Sequence, residues 1–145
     1  MVKIYVDTSV LFSLYAPDSN SPKADAWRQA NPLPIDFTTF HRIELRNALS
    51  LAVFQQRLTS SESLAAWQEV QQDLVTGLLV RAPDLWGKLL REAESLAEHH
   101  TPTIGSRSLD VLHVATALVL GATEFCTFDT RQAKLARLAG LHVQP

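Results

Sequence analysis

Four acidic residues lie where apolar segments of this chain begin or end: Asp7 in IYVDTS, Glu44 in HRIELRNAL, Asp110 in RSLDVLHVATAL and Asp129 in CTFDTR. Each adjoins residues that favour burial, so at least part of the acidic set should converge. A buried carboxylate is costly unless it is paired, protonated or bound to a cation, and its oxygens suit a hard ion such as Mg²⁺ or Mn²⁺. The chemistry open to such a set is metal-dependent phosphoryl transfer, in which a bound water is made acidic and the leaving oxygen is stabilised. Arg42 and Arg46 flank Glu44, Arg107 precedes Asp110 and Arg131 follows Asp129. Taken singly these read as surface ion pairs; as a set they could hold phosphates around a metal centre.

The elements that must position these residues alternate between strand and helix. Lys3 to Val6 predicts a short buried strand with Asp7 at its C-terminal end, and Thr8 or Ser9 caps a helix running to about Tyr15. Ser21-Pro22 opens a second helix and Asn31-Pro32 closes it before a strand at Ile35 to Phe37. Thr38 or Thr39 starts the next helix, whose Glu44 and Asn47 share one side and can point into one pocket. Thr59 and Glu62 form a capping box for a helix through Leu64, Trp67, Val70 and Leu74, a stripe that reads as core or partner surface. A third strand is expected at Leu78 to Val80. Asp84 then caps a helix to about His100 with Leu85, Leu89 and Leu96 facing inward, while Trp86 and His99-His100 read as packing and surface residues. After a loop at Thr101 to Ser106, Ser108 caps a helix bearing Asp110 and His113 one turn apart, and Gly121 ends it in a left-handed cap. Glu124 to Phe128 is a strand leading to Asp129, Thr130 starts a helix that Gly140 ends, and Leu141 to Val143 is the last strand.

This alternation, without repeat, low-complexity tract or long linker, predicts a single α/β domain over 1–145: a twisted parallel sheet of four to five strands flanked by helices. In such sheets ligands bind beyond the carboxyl ends of the strands, where Asp7 and Asp129 fall. Glu44 and Asp110 must reach the same end from helices. The chain has 145 residues, 46% of them hydrophobic and 19% charged, which is enough to bury one sizeable core. A formal net charge of -2 argues against a protein that coats nucleic acid nonspecifically, so any such contact must be local. The lone Cys126 cannot form an internal disulfide, and MVKIYVD has no signal-peptide pattern, so a reducing cytoplasm is expected. Leu109 to Ala122 is interrupted by Asp110, His113 and Thr116 and is too short for a membrane span.

The order and wording of the segments resemble the PIN-domain ribonucleases, and within them the VapC-type toxins of toxin–antitoxin pairs. VDTSVLFSLY is similar to the family's strand-Asp-Ser/Thr-helix start, IELRNAL to its Glu helix, RSLDVLHVATAL to its Asp helix and CTFDTRQAKLARLAGL to its final strand-Asp-helix unit. Each motif alone is common; four in the correct order over almost the whole chain are specific. The length and the Met1 start agree with a freestanding toxin. The resemblance implies that Asp7, Glu44, Asp110 and Asp129 are the acidic metal-site residues for Mg²⁺ or Mn²⁺, with Asp129 acting either as a ligand or through water. It implies supporting roles for Thr8, Ser9, Asn47, Thr127 and Arg131, each of which has an ordinary reading as a cap, an ion pair or a satisfied polar group. His113 reads as a packing or hydrogen-bonding residue.

The implied activity is hydrolysis of RNA phosphodiesters leaving a 5′ phosphate, by the toxin of a type II toxin–antitoxin system. The implied partners are an RNA substrate, a cognate antitoxin and a second copy in a homodimer, with no membrane. A housekeeping RNA-processing nuclease and a non-catalytic RNA- or protein-binding module are the alternatives. A haloacid-dehalogenase-like phosphatase would need a second acid two residues after the first, where this chain has Ser9. No Ser-His-Asp arrangement, Cys nucleophile, Walker loop or paired-Cys zinc pattern supports another hydrolase chemistry.

Overall fold

Capping residues and glycines punctuate the chain into five three-residue strands and seven helices among the described residues, 2–145, of the computed structural model. In order these are β1 (Ile4–Val6), α1 (Thr8–Tyr15), α2 (Ser21–Ala30), β2 (Ile35–Phe37), α3 (Thr39–Phe54) and α4 (Ser60–Thr76). There follow β3 (Leu79–Arg81), α5 (Trp86–Ile104), α6 (Ser108–Val119), β4 (Glu124–Cys126), α7 (Thr130–Leu138) and β5 (His142–Gln144). All pairings are parallel, as expected for α/β alternation, and the ladders run β1-β4-β5 and β2-β3. The chain clusters into two units, one of the residues up to Asp7 with Asp84–Pro145, the other of Thr8–Pro83.

In the first unit β1 aligns Val6 with Cys126 of β4, so the residues that follow, Asp7 and Thr127, emerge together at the carboxyl edge of the sheet. Tyr5, Val6, Phe125 and Cys126 are buried, and Tyr5 stacks on Phe125 with centroids 5.4 Å apart. Helix α6 is buried along most of its length through Val111, Val114, Ala115 and Ala117, and it packs on α5 and α7. Helix α5 follows Leu85, the boundary residue where Asp84 was expected, and Leu85 is exposed; Leu89, Ala93 and Leu96 form the buried face of α5. It also runs through the segment expected to be a loop. Pro102 forgoes only one bond in the last turns, and Gly105, at φ +67, closes the helix with its N–H on the Thr101 carbonyl.

In the second unit the Thr59–Glu62 box forms as the sequence predicts, with Thr59 N–H on Glu62 at 2.9 Å and Glu62 N–H on the Thr59 hydroxyl at 3.1 Å. Thr38 caps α3 reciprocally with His41, whose ring stacks on Phe37. Asn20, not Ser21, is the boundary residue of α2; the Ser21 hydroxyl instead accepts the Asp18 N–H at 2.9 Å. The buried face of α4 is Ser63, Ala66 and Val70, while Leu64 is exposed and Trp67 and Leu74 are only half-buried. Small residues let α4 approach α3, which buries Leu45, Leu49 and Ala52.

Candidate active site

Asp7 is fully buried, at 0% exposure, one residue beyond the end of β1. Its N–H donates to the Cys126 carbonyl, extending the parallel ladder by one bond, and its Oδ2 accepts the Thr127 hydroxyl at 2.5 Å. The same Thr127 oxygen accepts the Asp129 N–H at 2.9 Å, and the Thr127 N–H donates to the Gln144 carbonyl. One hydroxyl thus ties the carboxylate after β1 to the turn after β4. This arrangement follows from the register: parallel neighbours end side by side, and a β-branched threonine suits an extended, buried position. The charge of Asp7 is felt next door, where burial and then the Asp7 carboxylate push the Cys126 thiol upward from its ordinary pKa.

Asp110 is 6% exposed at the third position of α6, and its Oδ2 accepts the Arg107 backbone N–H at 3.0 Å. It, and not Ser108, closes the helix start, where an anion is also favoured by the helix dipole. Asp129 is half-buried and caps α7: its Oδ1 accepts the N–H groups of Arg131 at 2.8 Å and Gln132 at 3.2 Å. Arg131 itself is exposed and meets Asp129 through that backbone bond. In the other unit, the half-buried Glu44 accepts the Thr8 hydroxyl on Oε2 at 2.8 Å. Asn47 lies three residues further along α3, which turns it about 60° around the helix, and it is exposed. His113 is buried and its Nδ1 lies 2.6 Å from the Tyr5 hydroxyl, the packing and hydrogen-bonding role its position suggested.

The structure therefore joins Asp7, Thr127 and Asp129 in one network and Thr8 and Glu44 in another. Among the described residues no group of three His, Cys, Asp or Glu side chains has the spacing to hold a metal ion unaided. Within the first unit, Asp7, Asp110 and Asp129 carry hard carboxylate oxygens, the first two on buried residues, and oxygens of this kind suit a divalent cation that keeps several waters.

The PIN domain model matches residues 4–138, from the first residue of β1 to the last of α7. The chain belongs to the PIN domain family. Its PIN fold is shared with FitAcB from Neisseria gonorrhoeae, at a TM-score of 0.70 and 18% identity over 99% of this chain and 97% of that one. It is shared equally with VapC20 of Mycobacterium tuberculosis, a toxin that cleaves the sarcin–ricin loop, at a TM-score of 0.70 and 17% identity over 99% and 100% of the two chains. No curated protein matches the sequence significantly. Among the described residues no helix of this PIN domain is long and apolar enough to cross a membrane.

Proposed function

We propose that this PIN domain is a Mg²⁺- or Mn²⁺-dependent endoribonuclease of the cytoplasm, acting as the toxin of a type II toxin–antitoxin pair. The observation that carries the reading is the fully buried Asp7 carboxylate at the carboxyl edge of a parallel sheet, fixed by Thr127 in a chain of this family. Asp7, Glu44, Asp110 and Asp129 are proposed to hold the ion. When bound, the ion would supply an acidified water and positive charge for the leaving oxygen. Thr127 holds the Asp7 carboxylate in place, Thr8 orients Glu44, and the Asp129 cap fixes the turn after β4. The fold shared with VapC20 supports the choice of RNA as substrate.

A partner protein and a second copy of the chain are proposed from what the helices leave uncovered. Leu45, Leu49 and Ala52 of α3 serve the core, whereas Ile43, Leu51 and Phe54 are 64%, 45% and 85% exposed. These outer residues would meet an antitoxin or a second subunit. The test is incubation of the purified protein with total RNA, with and without Mg²⁺ or Mn²⁺, and mapping of the ends. Metal-dependent ends bearing 5′ phosphates are expected, and Asp7→Asn and Asp110→Asn should each abolish them while leaving the circular dichroism spectrum unchanged. Retained cleavage by either variant would overturn the site, and binding without cleavage by the wild type would favour a non-catalytic module.

A further inference from the structure

A pocket of about 270 Å³ opens beside Thr8, the residue that hydrogen-bonds Glu44. Its polar lining comes from Thr8, Ser9, Asp18, Asn20 and Arg57, and Phe12 forms part of its wall. The volume is just below the range of small-molecule clefts, so it suits a single nucleotide unit and not a folded segment.

Arg57 is placed there by an unusual helix end. Helix α3 closes with the Arg57 N–H on the Ala52 carbonyl at 2.8 Å and the Gln56 N–H on the Val53 carbonyl at 3.0 Å. This closure puts Gln56 in the left-handed region, at φ +59, a position that normally takes glycine and strains a residue with a Cβ. The arginine that follows is held on two sides. Its Nε donates to Gln55 Oε1 at 3.0 Å, and its guanidinium carbon lies 5.7 Å from the Phe12 ring centroid.

Asp18 is equally fixed. Its Oδ2 accepts the Ser13 hydroxyl at 2.8 Å, and its Oδ1 accepts the Asn20 N–H at 2.8 Å and the Ser21 hydroxyl at 3.3 Å. A phosphate would be repelled by this carboxylate. An unpaired base, in contrast, is recognised by stacking on an arginine plane or an aromatic ring and by hydrogen bonds to its edge. A carboxylate accepts from ring N–H or amino groups, and the Asn20 amide can both donate and accept.

We infer that this pocket receives one unpaired nucleobase of the RNA substrate, adjacent to the cleaved phosphodiester, stacked on Arg57 with its edge on Asp18 and Asn20. The inference rests on the ribonuclease reading for its substrate but assigns residues which that reading does not use. It makes Arg57 a binding residue that sets base preference at the cleavage position.

The test has two arms. In the first, KM and the base composition of mapped ends are compared for wild type, Arg57→Ala and Arg57→Lys. Arg57→Ala should raise KM roughly tenfold, the scale of one lost stacking contact, and flatten base preference. Arg57→Lys should not restore either, because lysine keeps the charge and loses the plane. In the second arm, UMP, CMP, AMP, GMP and inorganic phosphate are titrated into wild type and Arg57→Ala while backbone amide resonances are followed by NMR. Mononucleotides should shift the amides of Ser9, Asn20 and Arg57 in the wild type only. Unchanged KM and ends in Arg57→Ala, full rescue by lysine, or equal shifts with inorganic phosphate would each overturn the base pocket. Amide shifts with mononucleotides but no RNA cleavage by the wild type would support the pocket and defeat the ribonuclease reading, so the two fail separately.

Discussion

Replacing Thr127 with valine keeps the shape of a buried residue, 5% exposed, and removes the hydroxyl that joins Asp7 to Asp129. Two bonds are lost together. A bond to a charged group contributes about 1.5–3 kcal/mol, and leaving the Asp129 N–H without its acceptor adds up to about 1 kcal/mol, so the variant should lose roughly 2–4 kcal/mol. In a chain of this size that lowers the melting temperature by roughly 5–15 °C. The hydroxyl also orients a proposed ligand, and removing such a partner weakens metal binding by about 10- to 100-fold. At Mg²⁺ one hundred times the wild-type Kd, the wild type should gain about 2.7 kcal/mol from the ion and a variant binding tenfold more weakly only about 1.4 kcal/mol. Thermal melts of wild type, Thr127→Val and Thr127→Ser, each in EDTA and in Mg²⁺, measure both quantities. Thr127→Ser keeps the hydroxyl and should stay closer to wild type on both counts. A Thr127→Val protein that melts with the wild type in EDTA, or gains as much from Mg²⁺, would refute the role given to the hydroxyl.

Asp129 separates capping from ligation. Asparagine caps a helix about as well as aspartate, so Asp129→Asn should change stability by no more than a few tenths of a kcal/mol, whereas Asp129→Ala should cost about 1 kcal/mol. Urea melts read that difference, and an Asp129→Asn protein that keeps RNA cleavage would confine Asp129 to its cap on α7. Tyr15 supplies a pH dependence: its hydroxyl donates to Asp73, and burial, that hydrogen bond and the Asp73 charge raise its pKa above the ordinary value of 10.0. Because the folded pKa is the higher one, the stabilisation is fully present below about pH 10 and is lost as pH rises beyond it. Melts between pH 9 and 11 should show the wild type losing stability more steeply than Tyr15→Phe, and parallel curves would contradict the assignment.

What the sequence determined by itself lies within a few residues along the chain. The Thr59–Glu62 box, the Thr38 cap, the proline at the start of α2 and the left-handed Gly121 all depend on backbone groups three or four positions away. A cap and its partner are fixed by local geometry whatever the rest of the molecule does. Asp7, Asp110 and Asp129 were legible for the same reason, since each sits at an element boundary that the sequence marks, whereas Glu44 lies inside α3.

The tertiary structure decided what those acids touch. The Asp7–Thr127 bond spans 120 residues and exists only because β1 and β4 pair in the register that ends both strands together. Asn47 exposed beyond Glu44 turns on a rotation of about 60° around α3, which no residue type encodes. The buried face of α4 likewise passed from Leu64 to Ser63 and Ala66, because close approach to α3 rewards small side chains more than large apolar ones. Periodicity shows that a helix has an apolar side. Which residues on it are buried depends on the shape of the element packed against it, and that shape is a property of the folded chain.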